Sequence, residues 1–128
     1  MRETVKAFKV LSDETRLRIL NLLLERESCV CEVMQALEIS QSKASRGLSS
    51  LYDAGFLKLK KEGLWSLYSI DKDGISSYQS YLVEAVREAL KKDKIAALDR
   101  ERLKKAERVG LNCVGKADRL SAKALQSE

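Results

Sequence analysis

Apolar side chains recur at helical spacing along most of the chain, with one interruption where they alternate. Val5, Phe8 and Leu11 share a face over residues 2–11 and predict a first helix. A wider stripe of Leu17, Ile19, Leu20, Leu23 and Leu24 predicts a second, mostly buried helix. Ser12 is its expected N-cap. Asp13 and Glu14 would then occupy a first turn whose open N–H groups favour negative charge. Val30, Val33, Met34 and Leu37 predict a short third helix capped by Ser28 or Cys29. Glu38, Ile39 and Ser40 form the next turn. Ser40 caps a fourth helix over 41–54, with Ala44, Leu48 and Leu51 inward and Gly55 closing it. Alternation then sets in, with Leu57 and Leu59 on one face and lysines on the other. A turn at Glu62-Gly63 and a return strand over 64–70 complete a hairpin. From Asp73 the helical period resumes through Ile75, Tyr78, Leu82, Val86 and Ala89.

This order predicts a mainly α fold with a small β-hairpin. Helix, turn and helix over about 28–54, followed by a basic hairpin, is the pattern of a winged helix-turn-helix. The last apolar face, on the helix after Asp73, has too little left in a small domain to cover it, so self-association into a homodimer is expected. Residues 1–92 read as the DNA-binding and dimerisation domain. Residues 93–128 read as a charged, partly helical extension, with eight basic against four acidic residues over 91–108.

Composition narrows the function. Of 128 residues 45% are hydrophobic but only 5% aromatic, so the core is expected to be aliphatic. No apolar run approaches the roughly 18 residues of a membrane span. The N-terminal stretch lacks a signal-peptide pattern, which favours a cytoplasmic location and no membrane partner. The net charge of +5 is unevenly spread. Lys43, Arg46, Lys58, Lys60 and Lys61 face only Asp53 within 41–61, whereas 25–38 is locally acidic. The first stretch suits a polyanion. With no histidine, no Ser-His or Cys-His nucleophile pair exists, and an enzyme is not expected.

Two sets of side chains carry candidate chemistry. Gln41, Ser42, Lys43, Ser45 and Arg46 lie outward on the fourth helix, where they reach base edges and phosphates of double-stranded DNA without carboxylate repulsion. Lys60 and Lys61 suit phosphate contacts from the hairpin. The second set is sulfur. Positions i and i+2 of an ideal helix point about 200° apart, so Cys29 and Cys31 share a ligand only at a helix start, where the first residue need not be helical. A thiolate pair there prefers soft, thiophilic ions. Glu27 and Glu32 nearby work against thiolate formation, and small cysteines also pack simply as hydrophobes. Cys113 would supply a third sulfur. Met34 reads as core.

Three stretches resemble the ArsR family of winged-helix, metal- and metalloid-responsive repressors. They are the run from Phe8 to Leu20, Cys29-Val-Cys-Glu-Val33, and Ser40-Gln-Ser-Lys-Ala-Ser-Arg-Gly-Leu48 continuing through Leu51-Tyr-Asp-Ala-Gly-Phe-Leu57. The hairpin Glu62-Gly63-Leu64-Trp65 resembles the family's wing. The resemblance implies a homodimer on a pseudo-palindromic operator, released by an inducer. Cys29 and Cys31 would be ligands for arsenite or antimonite, with cadmium or lead as alternatives and no organic cofactor. Arsenite sensors with this motif carry a third cysteine where Met34 stands, which leaves Cys113 as the candidate substitute. The family's zinc and nickel sites on the dimer helix need histidines that this chain lacks. Glu14 and Ser42 replace frequent prolines. Gly47 replaces a frequent histidine of the recognition helix and is expected to loosen it or change base preference. A thiol redox switch on the same cysteines, and a protein-interaction module using the basic region 91–108, remain alternative readings.

Overall fold

The structure is a computed structural model that describes residues 1–108. Among them run helices α1 (Arg2–Leu11), α2 (Glu14–Glu25), α3 (Val30–Leu37) and α4 (Gln41–Asp53), strands β1 (Leu57–Glu62) and β2 (Trp65–Ile70), and helices α5 (Ser77–Leu90) and α6 (Lys94–Lys105). No helix is long and apolar enough to cross a membrane among the described residues.

Local cap chemistry places most of the boundaries. Asp13, not Ser12, caps α2, its carboxylate accepting from the Arg16 N–H at 2.9 Å. Ser12 instead closes α1, donating its hydroxyl to the Phe8 carbonyl at 2.9 Å. Either residue type satisfies an open helix start; the charged acceptor is the stronger one and takes the position. Glu38 ends α3 in the left-handed region at φ 55°, so the chain reverses into Ser40, which caps α4 through the Lys43 N–H at 3.2 Å. Gly55, at φ 89°, turns the chain out of α4.

The two strands pair antiparallel from Leu57 opposite Ile70 to Glu62 opposite Trp65. The connecting residues are therefore Gly63 and Leu64, one later than expected. Gly63 takes φ 63°, the backbone state that a two-residue hairpin loop demands. Leu57 is buried but Leu59 is 41% exposed, so most of β1 faces solvent, whereas β2 packs inward through the buried Leu67 and Ile70.

The core is built on α2. Ile19, Leu20 and Leu22 have no exposed area, and Val33, Ala36, Ala44, Leu48, Leu51 and Phe56 close around them. It is aliphatic apart from Phe56. On α1 the inward residues are Ala7 and Val10, while Val5 and Phe8 face out. Ser76 and Gln79 form a capping box that starts α5 after Ile75. Helix α6 lies against α2 and α3, burying Ala96, Asp99 and Leu103, with Ile95 and Leu98 half-exposed.

Candidate sulfur site and nucleic-acid interface

The sulfur site forms where the chain enters α3. Ser28 pairs with Tyr68 through two backbone hydrogen bonds of 3.0 and 2.9 Å, tying this entry to the hairpin. Cys29 is the N-cap, with extended φ −93° and ψ 171°, and Cys31 lies in the first turn. The non-helical cap cancels the divergence of an i, i+2 pair. The two Sγ atoms stand 3.1 Å apart. Both are buried, packed with Leu67 and Trp65 in a small cluster separate from the main core. Both cysteines make further contacts as well, and Cys29 is disulfide-bonded. Met34 packs against the main core instead. Cys113 lies outside the described residues. Among the described residues, no three histidine, cysteine or acidic side chains converge as a metal site.

Glu32 completes this helix start. Its carboxylate accepts from the Cys29 N–H at 3.0 Å, from Arg108 Nε at 2.8 Å and from Arg26 Nη1. Burial pushes the carboxyl pKa up, but the hydrogen bonds from Arg108, the Cys29 N–H and Arg26 outweigh it and hold the group below its ordinary range. The negative charge that the sequence sets beside the cysteines is thus answered by two guanidiniums. No sequence pattern announces this, because Arg108 arrives from beyond the far end of α6.

The second candidate surface is the outer face of α4. Ser42, Lys43 and Arg46 are exposed, and Gln41 and Ser45 are half-buried, with Gln41 Nε2 donating to the Ser45 hydroxyl at 3.1 Å. All five occupy one outward-facing stretch, opposite the buried Ala44, Leu48 and Leu51. Lys60 and Lys61 project from β1. Lys60 stands 3.7 Å from Glu27 and 3.5 Å from Glu62, and Lys61 donates to the Ser66 hydroxyl at 2.8 Å. Gly47 belongs to the other side. It is buried, and a Cβ there would overlap Cδ1 of Ile19 on α2. The glycine lets α4 pack closely on α2 at this point.

A third surface is apolar. Tyr81 of α5 is 74% exposed, with Leu82 and Tyr78 half-buried near it, and Phe8 of α1 is 54% exposed.

The model of the bacterial regulatory protein arsR family matches residues 13–64, which run from the cap of α2 through the hairpin turn. The chain is 48% identical over 65 residues to the arsenic resistance transcriptional regulator ArsR1 of Pseudomonas putida, a match covering 49% of this chain and 50% of that protein. It is 33% identical over 81 residues to the arsenical resistance operon repressor of Bacillus subtilis, covering 62% of this chain and 77% of that one. The structure is similar to HlyU from Vibrio cholerae, with a TM-score of 0.61, 28% identity, and coverage of 71% of this chain and 95% of the other. The fold is that of a winged helix-turn-helix protein. The chain belongs to the ArsR family.

Proposed function

We propose that this chain is a transcriptional repressor that binds operator DNA as a homodimer and lets go when trivalent arsenic or antimony is captured by Cys29 and Cys31. The approach of the two sulfurs to 3.1 Å at the cap of α3 carries the reading. Trivalent arsenic exchanges its hydroxyls for thiolates, each sulfur giving up its proton and each hydroxyl leaving as water. Capture locks both sulfurs onto one atom, and that fixed geometry disturbs the cap. Helix α3 packs directly on α4, so the disturbance reaches the reading face. Cys113 is the proposed third sulfur; cadmium and lead, also thiophilic, are alternative inducers.

On DNA, Gln41, Ser42, Lys43, Ser45 and Arg46 read the major groove, and Lys60 and Lys61 hold phosphates. The exposed Tyr81 on α5 and Phe8 on α1 supply the apolar surface for a second copy. The disulfide at Cys29 and the nearby Cys31 sulfur also favour a second reading, in which peroxide oxidises two thiols of the reduced chain to a disulfide and is itself reduced to two waters.

An operator recovered by selection from a random duplex pool, labelled and followed by anisotropy, tests the reading. Arsenite should release the reduced chain, and Cys29→Ser should bind the operator normally yet resist release. A Cys29→Ser protein that dissociates like the parent refutes the ligand assignment. Release by peroxide alone, restored by reductant and indifferent to arsenite, selects the redox reading.

A further inference from the structure

Helix α6 grips α3 at both ends. At the sulfur end the residues that follow it, Glu107 and Arg108, fold over the cap. Arg108 holds Glu32 at 2.8 Å. Gln35 of α3 donates to the Glu107 carbonyl at 2.8 Å and accepts its N–H at 3.1 Å. The Cys31 Sγ lies 3.7 Å from the same carbonyl. At the other end, Asp99 takes both Arg18 Nε and Nη2 at 2.8 Å, and that same Nη2 donates to the Leu37 carbonyl in the last turn of α3 at 3.3 Å. Between these points α3 has α6 on one side and α4 on another. A shift of the α3 cap relative to α4 therefore has to strain or break contacts that α6 makes.

We propose that α6 is a splint that sets the inducer threshold, holding α3 in its DNA-competent position through Arg108–Glu32 and Gln35–Glu107, so that sulfur capture works against these contacts. This rests on the sulfur-capture reading above. Arg108 and Gln35 are positioning residues and touch no inducer. Weakening either one lowers the inducer concentration needed for release, because less of the differential binding energy goes into opening the clamp. A native reporter stands beside the splint: the Arg108 guanidinium lies 6.0 Å from the ring centroid of Trp65, the chain's single tryptophan.

The test uses the full reduced chain, unaltered and as Arg108→Gln, Arg108→Lys and Gln35→Ala. Without inducer, hydrogen exchange should quicken at the first-turn amides of α3 in Arg108→Gln and Gln35→Ala, and stay unchanged in α4. With arsenite, the midpoint of operator release should fall about three- to tenfold in Arg108→Gln, and by less in Gln35→Ala. Arg108→Lys keeps the charge without the planar fork and should fall between the parent and Arg108→Gln. The Trp65 emission change on arsenite addition should move to lower concentration in step. Gln35 is half-exposed, so its variant tests the idea even if Arg108→Gln folds poorly. Unchanged release midpoints in both variants, with the parent released normally, overturn the splint whatever the exchange data show. If arsenite, antimonite, cadmium and lead all fail to release the parent, the sulfur-capture reading fails. The exchange arm still judges the clamp: quickened α3 exchange supports it, and unchanged exchange overturns it.

Discussion

Asp99→Ala removes the buried anion that fastens α6 to α2. The Asp99 side chain has no exposed area, while Arg18 keeps 21% of its own. The pair is bidentate at 2.8 Å on both oxygens, the geometry in which an arginine–carboxylate contact is strongest. The pair also raises the Arg18 pKa, chiefly through the hydrogen bond to Asp99 and against burial. Removing one partner of a fully buried pair costs about 3–5 kcal/mol. Water reaches Arg18, so the cost here falls lower, at about 2–3 kcal/mol. For a chain of this size that is a fall in Tm of roughly 6–15 °C. The assay is thermal unfolding by circular dichroism, at one protein concentration because melting of the proposed dimer would depend on it. Replacing both members, Arg18→Met with Asp99→Leu, should recover most of the loss, since the penalty lies in the abandoned charge. A fall below about 3 °C, or a double variant as unstable as the sum of the singles, refutes the reasoning.

Other expectations follow from the same contacts. Glu32 has a lowered pKa in the folded chain, so its carboxylate adds stability fully above its ordinary 4.5 and loses it as pH falls through the lower folded value. The stability gap between the parent and Glu32→Gln should therefore be constant near neutrality and shrink below that pH; a gap that widens on acidification contradicts it. Gly47→Ala gains about 1 kcal/mol of helix propensity but forces Cδ1 of Ile19 aside. Its Tm should change by no more than a few degrees, and operator affinity should hold within about threefold. A large loss of affinity with Tm unchanged would place Gly47 on the DNA face instead.

Legibility in the sequence followed the range of the interaction. Ser40 and Gly55 were readable because caps and left-handed turns depend on neighbours a few residues away. The convergence of Cys29 and Cys31 followed from the same local logic, an extended cap followed by a helical first turn. Two boundaries moved by one residue, at Ser12 and at Glu62, where adjacent residues compete for one role and the deciding factor is the register of what lies beyond. The packing of Gly47 against Ile19 had no local signal, because that neighbour across the helix packing is invisible from the fourth helix alone. The α6 clamp had no local signal at all. Asp99 and Arg18 are 81 residues apart, and Arg108 and Glu32 are 76 apart. In sequence, α6 shows only mixed charge and loose apolar spacing.

If sulfur capture and operator binding compete through α3, the coupling must be reciprocal. Arsenite affinity of the reduced chain, measured with and without saturating operator, tests this most directly. Operator should weaken arsenite binding by the same factor, about fivefold or more, by which arsenite weakens operator binding. Equal arsenite affinity in the two states would mean that the sulfurs and the reading helix do not communicate.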